Sequence, residues 1–401
     1  MSYAKKIWME EMERGWSSTN IIICDKCMCE DYLAAHIRKM GKSGCCNYCK
    51  RKRQTLPLDD IMESILSAAY FEYDHPENGL GWDGREGGWQ AAQVWDSYDL
   101  IYDVFELGGS PAFDDIVRVM TDQQWCKKEF YSLSDQEQMT FSWQSFVRMV
   151  KHSKRFLFTS DKRDENDTEI LTPKETLRMI GDAVKNLDFI CQIPIGTVFF
   201  RARATKESEK FNTPEELGAP HEKKSIYPSR MSSAGIPMFY GAYDKETCIT
   251  EVKKDGNKKF TTAKWKTIKV LNLVDLTDFK RHNDSEQWYF SSGVPSIFDE
   301  LEREKLPYYR FFSDFMKDFT APVTKDGREH IDYVPTQVVA EYLRWQFKTD
   351  SGYPVNGILY PSTKNGNVCC VLFCGQEGCV SNSMFVDRQI LEMDEGSIEV
   401  N

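Results

Sequence analysis

Apolar positions change rhythm along this chain, from helical spacing in its first part to short alternating runs in its second. Residues 57–158 read as helical: Ile61, Ile65, Leu66 and Ala69 recur on one helical face, with Asp59 as the cap before them. A second helix is predicted from Trp95 through Leu100, Ile101, Val104 and Phe105, stopping at Gly108-Gly109. The capping box "SDQE" at Ser134–Glu137 opens a third, bearing Phe141, Phe146 and Val150. Between them "DHPENGLGWDGREGG", Asp74–Gly88, reads as a glycine-rich loop.

The stretch "TSDKRDENDTE", Thr159–Glu169, is almost wholly polar and marks a domain boundary. After it, Thr172 caps a helix with Pro173 at its first position. The pattern then turns β-rich. "GTVFFRAR", "PMFYGAY", "TIKVLNLVDL", "NGILYPS" and "NVCCVLFC" are short apolar or alternating runs bounded by turn residues. Helices intervene near Asp244–Lys254 and Gln337–Phe347, and no internal repeat is present. The expected fold class is α+β. A zinc-knuckle and helical domain would occupy 1–158, a polar linker 159–171, and a mixed-sheet domain 172–401.

Composition narrows the function classes. With 401 residues, 41% hydrophobic and 13% aromatic, the chain can bury substantial cores. A formal charge of −11 argues against a general nucleic-acid or anionic-membrane binder. No apolar run approaches the roughly 18 residues that span a bilayer. The opening "MSYAKKIWMEEMERGW" lacks the apolar core of a signal peptide, so a cytoplasmic location is the expectation.

Thirteen cysteines, an odd and clustered set, point to reduced thiols plus one metal site rather than a disulfide scaffold. Cys24 and Cys27 form one CxxC pair, Cys46 and Cys49 another, with eighteen residues between them. Each pair can place two thiolates on a tight knuckle, and two knuckles complete a tetrahedron around Zn²⁺. Cys29 and Cys45 are rival ligands. A closed four-sulfur site has no open position and would be structural. The adjacent "KRKR", Lys50–Arg53, reads as a solvated basic run. His152, with three residues between it and Arg148, is weakly like the Arg-x-x-x-x-His element of helical ribonucleases, which has four. Cys369, Cys370, Cys374 and Cys379 have poor metal spacing and read as buried packing.

In the β-rich part, Arg201 ends an apolar strand, where its fork can grip phosphate or simply pair with a surface acid. Arg230 sits in the small-residue turn "SRMSSAG" and can serve likewise. Tyr240 on the next strand can present a flat face to an aromatic base. Glu251 lies about two turns past Asp244, which caps that helix, and Ser362 follows "GILYP" at another strand end. Singly, each residue also fits a surface role.

In this order the residues resemble the RES domain family, through Arg201 in "VFFRARA", Arg230 in "SRMSSAGIPMFYGAYD", Glu251 in "ETCITEV" and Ser362 in "GILYPS". The likeness covers roughly 190–395, and the cysteine-bearing leader with its helices resembles the HEPN/RES N-terminal domain. The resemblance implies a fold related to ADP-ribosyltransferases. It also implies consumption of NAD⁺ by hydrolysis or phosphorolysis of the nicotinamide–ribose bond, as in bacterial toxin–antitoxin systems. On that basis Glu251 would be the essential carboxylate, and Arg201 and Arg230 would hold the diphosphate or an attacking phosphate. Tyr240 would line the nicotinamide side, and Ser362 would orient ribose or phosphate. The implied partners are NAD⁺, inorganic phosphate, an antitoxin or regulatory protein and a second copy of the chain. Transfer of ADP-ribose to a macromolecule, or nucleotide binding without turnover, are the alternatives.

Overall fold

Short strands surround the paired cysteines. The computed structural model describes residues 3–157, 169–206, 209–253, 259–277, 294–323, 326–381 and 388–401. Strands Ile22–Cys24 (β1), Lys42–Cys45 (β2) and Lys52–Pro57 (β3) form an antiparallel sheet in the order β1-β3-β2. Helices Asp31–Met40 (α1) and Leu58–Glu72 (α2) close over it. Leu33, Ile37, Ile61, Ile65 and Leu66 share one core with Ile23 and Leu56. The Glu30 carboxylate accepts from the Leu33 amide at 2.7 Å, so α1 starts on a capped turn. Helix α2 begins at Leu58, one residue before the expected cap. Asp59 instead lies in the first turn, where its charge suits the helix dipole, and accepts from the Thr19 amide at 3.0 Å.

The helix expected from Trp95 is interrupted at its start. Val94–Asp96 is a strand, and Gln124–Lys127 joins it to Tyr73–Asp74. Trp95 pairs across to Trp125, which is fully buried and donates to Ser97 Oγ at 3.2 Å. Helical turns follow only from Ser97. The loop over 74–88 contains part of a small hairpin, Trp82–Asp83 against Gly88–Trp89.

By packing, the residues group into two units, 1–135 with 281–310 and 136–280 with 311–401. Helix Asp135–His152 (α3), read from sequence as part of the first domain, thus groups with the second unit. Its Trp143 meets Phe315 edge-on at 4.9 Å and donates to Asp318 Oδ2 at 3.0 Å. The expected linker 159–171 lies outside the described residues except for 169–171. Helix Pro173–Asn186 (α4) opens on the predicted capping box, with Thr172 and Glu175 bonding reciprocally.

The second unit is built on one mixed sheet. Its strands are Ile190–Ile193 (β4), Val198–Thr205 (β5), Phe239–Ala242 (β6), Lys259–Thr267 (β7) and Leu271–Asp275 (β8). Gly357–Pro361 (β9), Val368–Leu372 (β10) and Leu391–Val400 (β11) complete it. The order is β11-β7-β5-β6-β10-β9-β8-β4, antiparallel throughout except for the parallel pair β8-β9. Helix Lys245–Val252 (α5) follows β6; Leu306–Thr320 (α6) and Val334–Trp345 (α7) precede β9.

Residues of the sheet feed two apolar clusters. One gathers Phe199, Phe239, Trp265, Leu273 and Leu372, and the other Ala202, Ala242, Cys248 and Cys369 beside α5. The four C-terminal cysteines are buried, as their spacing suggested. Among the described residues no helix is long and apolar enough to cross a membrane.

Candidate metal centre and ligand cleft

The two CxxC turns face each other. Cys27 N bonds Cys24 O at 3.0 Å in the first turn, and Lys50 N bonds Cys46 O at 3.0 Å in the second. Lys50 takes the left-handed conformation, φ 57°, which lets the chain wrap back over the sulfurs. Asn47 ties the knuckles together: its amide donates to Ile22 O at 2.9 Å and its Oδ1 accepts from Ile22 N at 2.7 Å.

As a result Cys24, Cys27, Cys46 and Cys49 bring their Sγ atoms within 4.8 Å of one another. Cys24 and Cys49 Sγ are 3.6 Å apart. A tetrahedral ion bonded to sulfur at about 2.3 Å needs edges of about 3.8 Å, so the four thiols can close on a metal ion. Cys45, at the end of β2, is exposed, as is Cys29. Burial pushes the Cys24 and Cys27 thiols up. The Cys49 thiol is drawn down to about 7, chiefly by the Arg51 amide with help from the other three thiols.

In the second unit a cleft of about 880 Å³ opens where β5 and β6 part. These strands share one rung, Phe200 opposite Ala242. Carried further, that register would set Ala202 opposite Tyr240. Instead Arg201 Nη1 donates to Tyr240 O at 2.6 Å, taking a ladder position with its side chain. Its guanidinium lies 5.0 Å from the Phe239 ring centroid, and its Nε is buried without a partner. Burial lowers its pKa, opposed by nearby thiols of which Cys379 comes first; arginine nonetheless stays charged. Gly241 permits this close packing, since a Cβ there would meet Phe200 O and Phe239 Cε1, both at 2.9 Å.

Arg230 lines the same cleft, on a turn in which Ser229 and Ser232 bridge. Its fork is engaged at the end of α6: Nη1 donates to Phe319 O at 2.7 Å and Nη2 to Ala321 O at 2.8 Å. A cation there suits the negative end of the helix. The turn is held from α7, where Gln337 Nε2 donates to Ser229 O at 2.8 Å and Thr336 Oγ1 to Arg230 O. Replacing Arg230 by Ala should cost about 1.5–3 kcal/mol of stability in chemical denaturation. Arg230→Lys should recover only part of it, because an ammonium lacks the fork that spans two carbonyls.

Tyr240 faces the cleft, its hydroxyl bonded to Ser229 Oγ at 2.6 Å and Ser232 Oγ at 3.1 Å. Burial raises its pKa. Glu251, on the last turn of α5, also lines the cleft and accepts from Ser362 Oγ through Oε1. Ser362 sits behind it, only 4% exposed, at the end of β9. Its oxygen in turn accepts from the amides of Lys364 at 3.1 Å and Asn365 at 3.4 Å. The serine hydroxyl has one proton and gives it to Glu251, so it orients the carboxylate. The structure therefore brings four of the five expected residues to one cleft, with the fifth bonded to Glu251.

Two family models match the sequence: the RES domain over residues 199–391 and HEPN/RES N-terminal domain 1 over 39–164. The chain carries a RES domain behind a HEPN/RES N-terminal domain. No curated protein matches it, and no solved structure does. The RES match contains every residue of the cleft described above, and the HEPN/RES match contains Cys46 and Cys49 but begins beyond Cys24 and Cys27. Elsewhere in the HEPN/RES region, Arg148 and His152 lie exposed on α3.

Several residues in and around the cleft of the RES domain were not legible in its sequence. Tyr360 on β9 lines the cleft, and burial raises its pKa well above the usual value. Thr336, Gln337 and Lys364 act through backbone carbonyls far away in sequence. Only the turn-rich "STKNGN" after β9 hinted that a built loop stood there.

Proposed function

We propose that the RES cleft binds NAD⁺ and cleaves its nicotinamide–ribose bond, with water or inorganic phosphate as the attacking group. The observation that carries this reading is the Glu251 carboxylate, oriented by Ser362, in one cleft with Arg201 and Arg230. A cleft of about 880 Å³ lies within the roughly 300–1,000 Å³ of small-molecule sites.

The chemistry suits these groups. The bond from the ribose anomeric carbon to the pyridinium nitrogen breaks, and its electron pair neutralises the ring. Nicotinamide then leaves without a general acid. The sugar becomes oxocarbenium-like, and a fixed carboxylate stabilises that cation, as glycosidase carboxylates do. An oxygen of water or phosphate bonds to the anomeric carbon, giving ADP-ribose and a proton, or ADP-ribose phosphate. Arg201 and the charge of Arg230 would hold the diphosphate so that the reacting carbon stays beside Glu251. Tyr240 would present its ring to the nicotinamide side. The four-cysteine centre would hold a structural Zn²⁺, its tetrahedron closed by protein sulfur.

The RES family's link with toxin–antitoxin systems supports reading this chain as a bacterial toxin or defence effector with an antitoxin partner. NAD⁺ labelled on its adenosine half, incubated with the protein and cell extract, tests the reaction class. Label on small products supports cleavage. Label retained on a macromolecule would make the protein an ADP-ribosyltransferase, and label left in intact NAD⁺ would make it a binding module.

A further inference from the structure

Glu251 stands near the end of a helix that its own sequence supports poorly. Helix α5 reads "KETCITEV", only 8 residues, and Thr247, Ile249, Thr250 and Val252 are β-branched. Its last turn is where fraying would begin, and the proposed reaction depends on where that turn holds one carboxylate.

A single loop, residues 362–367, reaches α5 at both ends. At the start, Asn365 Nδ2 and Asn367 Nδ2 donate to Thr247 Oγ1 at 2.9 and 3.0 Å. Asp244, the N-cap of α5, accepts from the Thr247 amide at 2.8 Å. Gly366, φ 76°, lets the loop turn back so that Ser362 N meets Asn367 O at 2.8 Å. At the far end Lys364 Nζ donates to Thr250 O, to Glu251 O at 3.0 Å and to Lys253 O at 3.4 Å. These carbonyls belong to the helix end, where they lack intrahelical partners and carry the negative pole. An ammonium has three donors, and here all three have acceptors.

We propose that Lys364 is a positioning residue for Glu251: it fixes the last turn of α5, while Ser362, two residues earlier, fixes the carboxylate itself. The proposal rests on the NAD⁺-cleavage reading. Backbone and side chain of Glu251 are thus held by the same loop. Lys364 also lines the cleft, so its charge is close enough to substrate for a direct binding role to need testing.

The full-length protein and its Lys364→Met and Lys364→Arg variants are compared in NAD⁺ cleavage and in amide hydrogen exchange. Lys364→Met should lower kcat about 10- to 100-fold, the scale of a misplaced catalytic group, with KM within twofold. Lys364→Arg, which keeps donors and charge, should restore much of the rate. Exchange at the Lys253 amide, bonded to Ile249 O at 2.9 Å, should quicken in Lys364→Met. A kcat within twofold of wild type would overturn the proposal, as would a loss confined to KM, which would make Lys364 a substrate ligand. Unchanged exchange at Lys253 would overturn it independently of any activity. If wild type itself leaves NAD⁺ intact, the parent reading fails, and the exchange result still decides whether Lys364 holds the helix end.

Discussion

Glu251→Gln is expected to lower the rate of NAD⁺ cleavage about 10²–10³-fold, the usual worth of one preorganised electrostatic group. Gln keeps an oxygen that can accept the Ser362 proton, so the loop over 362–367 should stay in place. What it loses is the negative charge that would stabilise the oxocarbenium-like sugar. Arg201 and Arg230 are untouched, so the loss should fall on kcat with KM little changed. Steady-state kinetics beside a thermal melt checks both halves of this claim. A variant as active as wild type would remove Glu251 from the chemistry, and one that melts far earlier would show a structural role instead.

Loss of the proposed zinc should have the larger effect on stability. Cys24, Cys27 and Cys46 belong to the same core as Ile23, Leu33, Ile37 and Leu56, so the sulfurs are part of the packing that defines the first unit. Structural zinc contributes about 10–16 kcal/mol of apparent binding free energy in small four-ligand domains, enough to decide whether they fold. Metal analysis of protein purified without chelator should find one zinc per chain. Cys46→Ser should lose it, and hydrogen exchange across β1–β3 should rise sharply. Cys45→Ser should keep it, because Cys45 is exposed on the neighbouring hairpin strand. Zinc retained in Cys46→Ser and lost in Cys45→Ser would reverse that assignment.

Much of the RES sheet was readable because its central strands are short apolar runs between turn residues. Phe199, Phe239, Leu273 and Leu372 all come from such runs and meet in one core. Two of the strands that escaped are of another kind. Lys259–Thr267 is rich in lysine and threonine, and Leu391–Val400 carries four acids, so neither shows an apolar run. Helix α6 escaped because its buried Phe311, Phe312, Phe315 and Phe319 are crowded among other aromatics that blur a single stripe.

The cleft was legible in its residue types but not in its connections. From sequence Arg201 is expected to end a strand as a free fork, yet it lies within β5, paired opposite Ala263, and its Nη1 replaces a missing rung toward β6. Arg230 could be read the same way, yet both of its Nη atoms hold the end of α6. Such ties join residues about 40 to 90 positions apart, and local pattern carries no information at that range.

Release of nicotinamide from NAD⁺ by the purified chain is measured with and without inorganic phosphate, with products identified by mass. Free nicotinamide should appear together with ADP-ribose, or with its phosphate ester when phosphate is the attacker. Intact NAD⁺ under both conditions, with wild type and Glu251→Gln indistinguishable, would contradict the proposed cleavage.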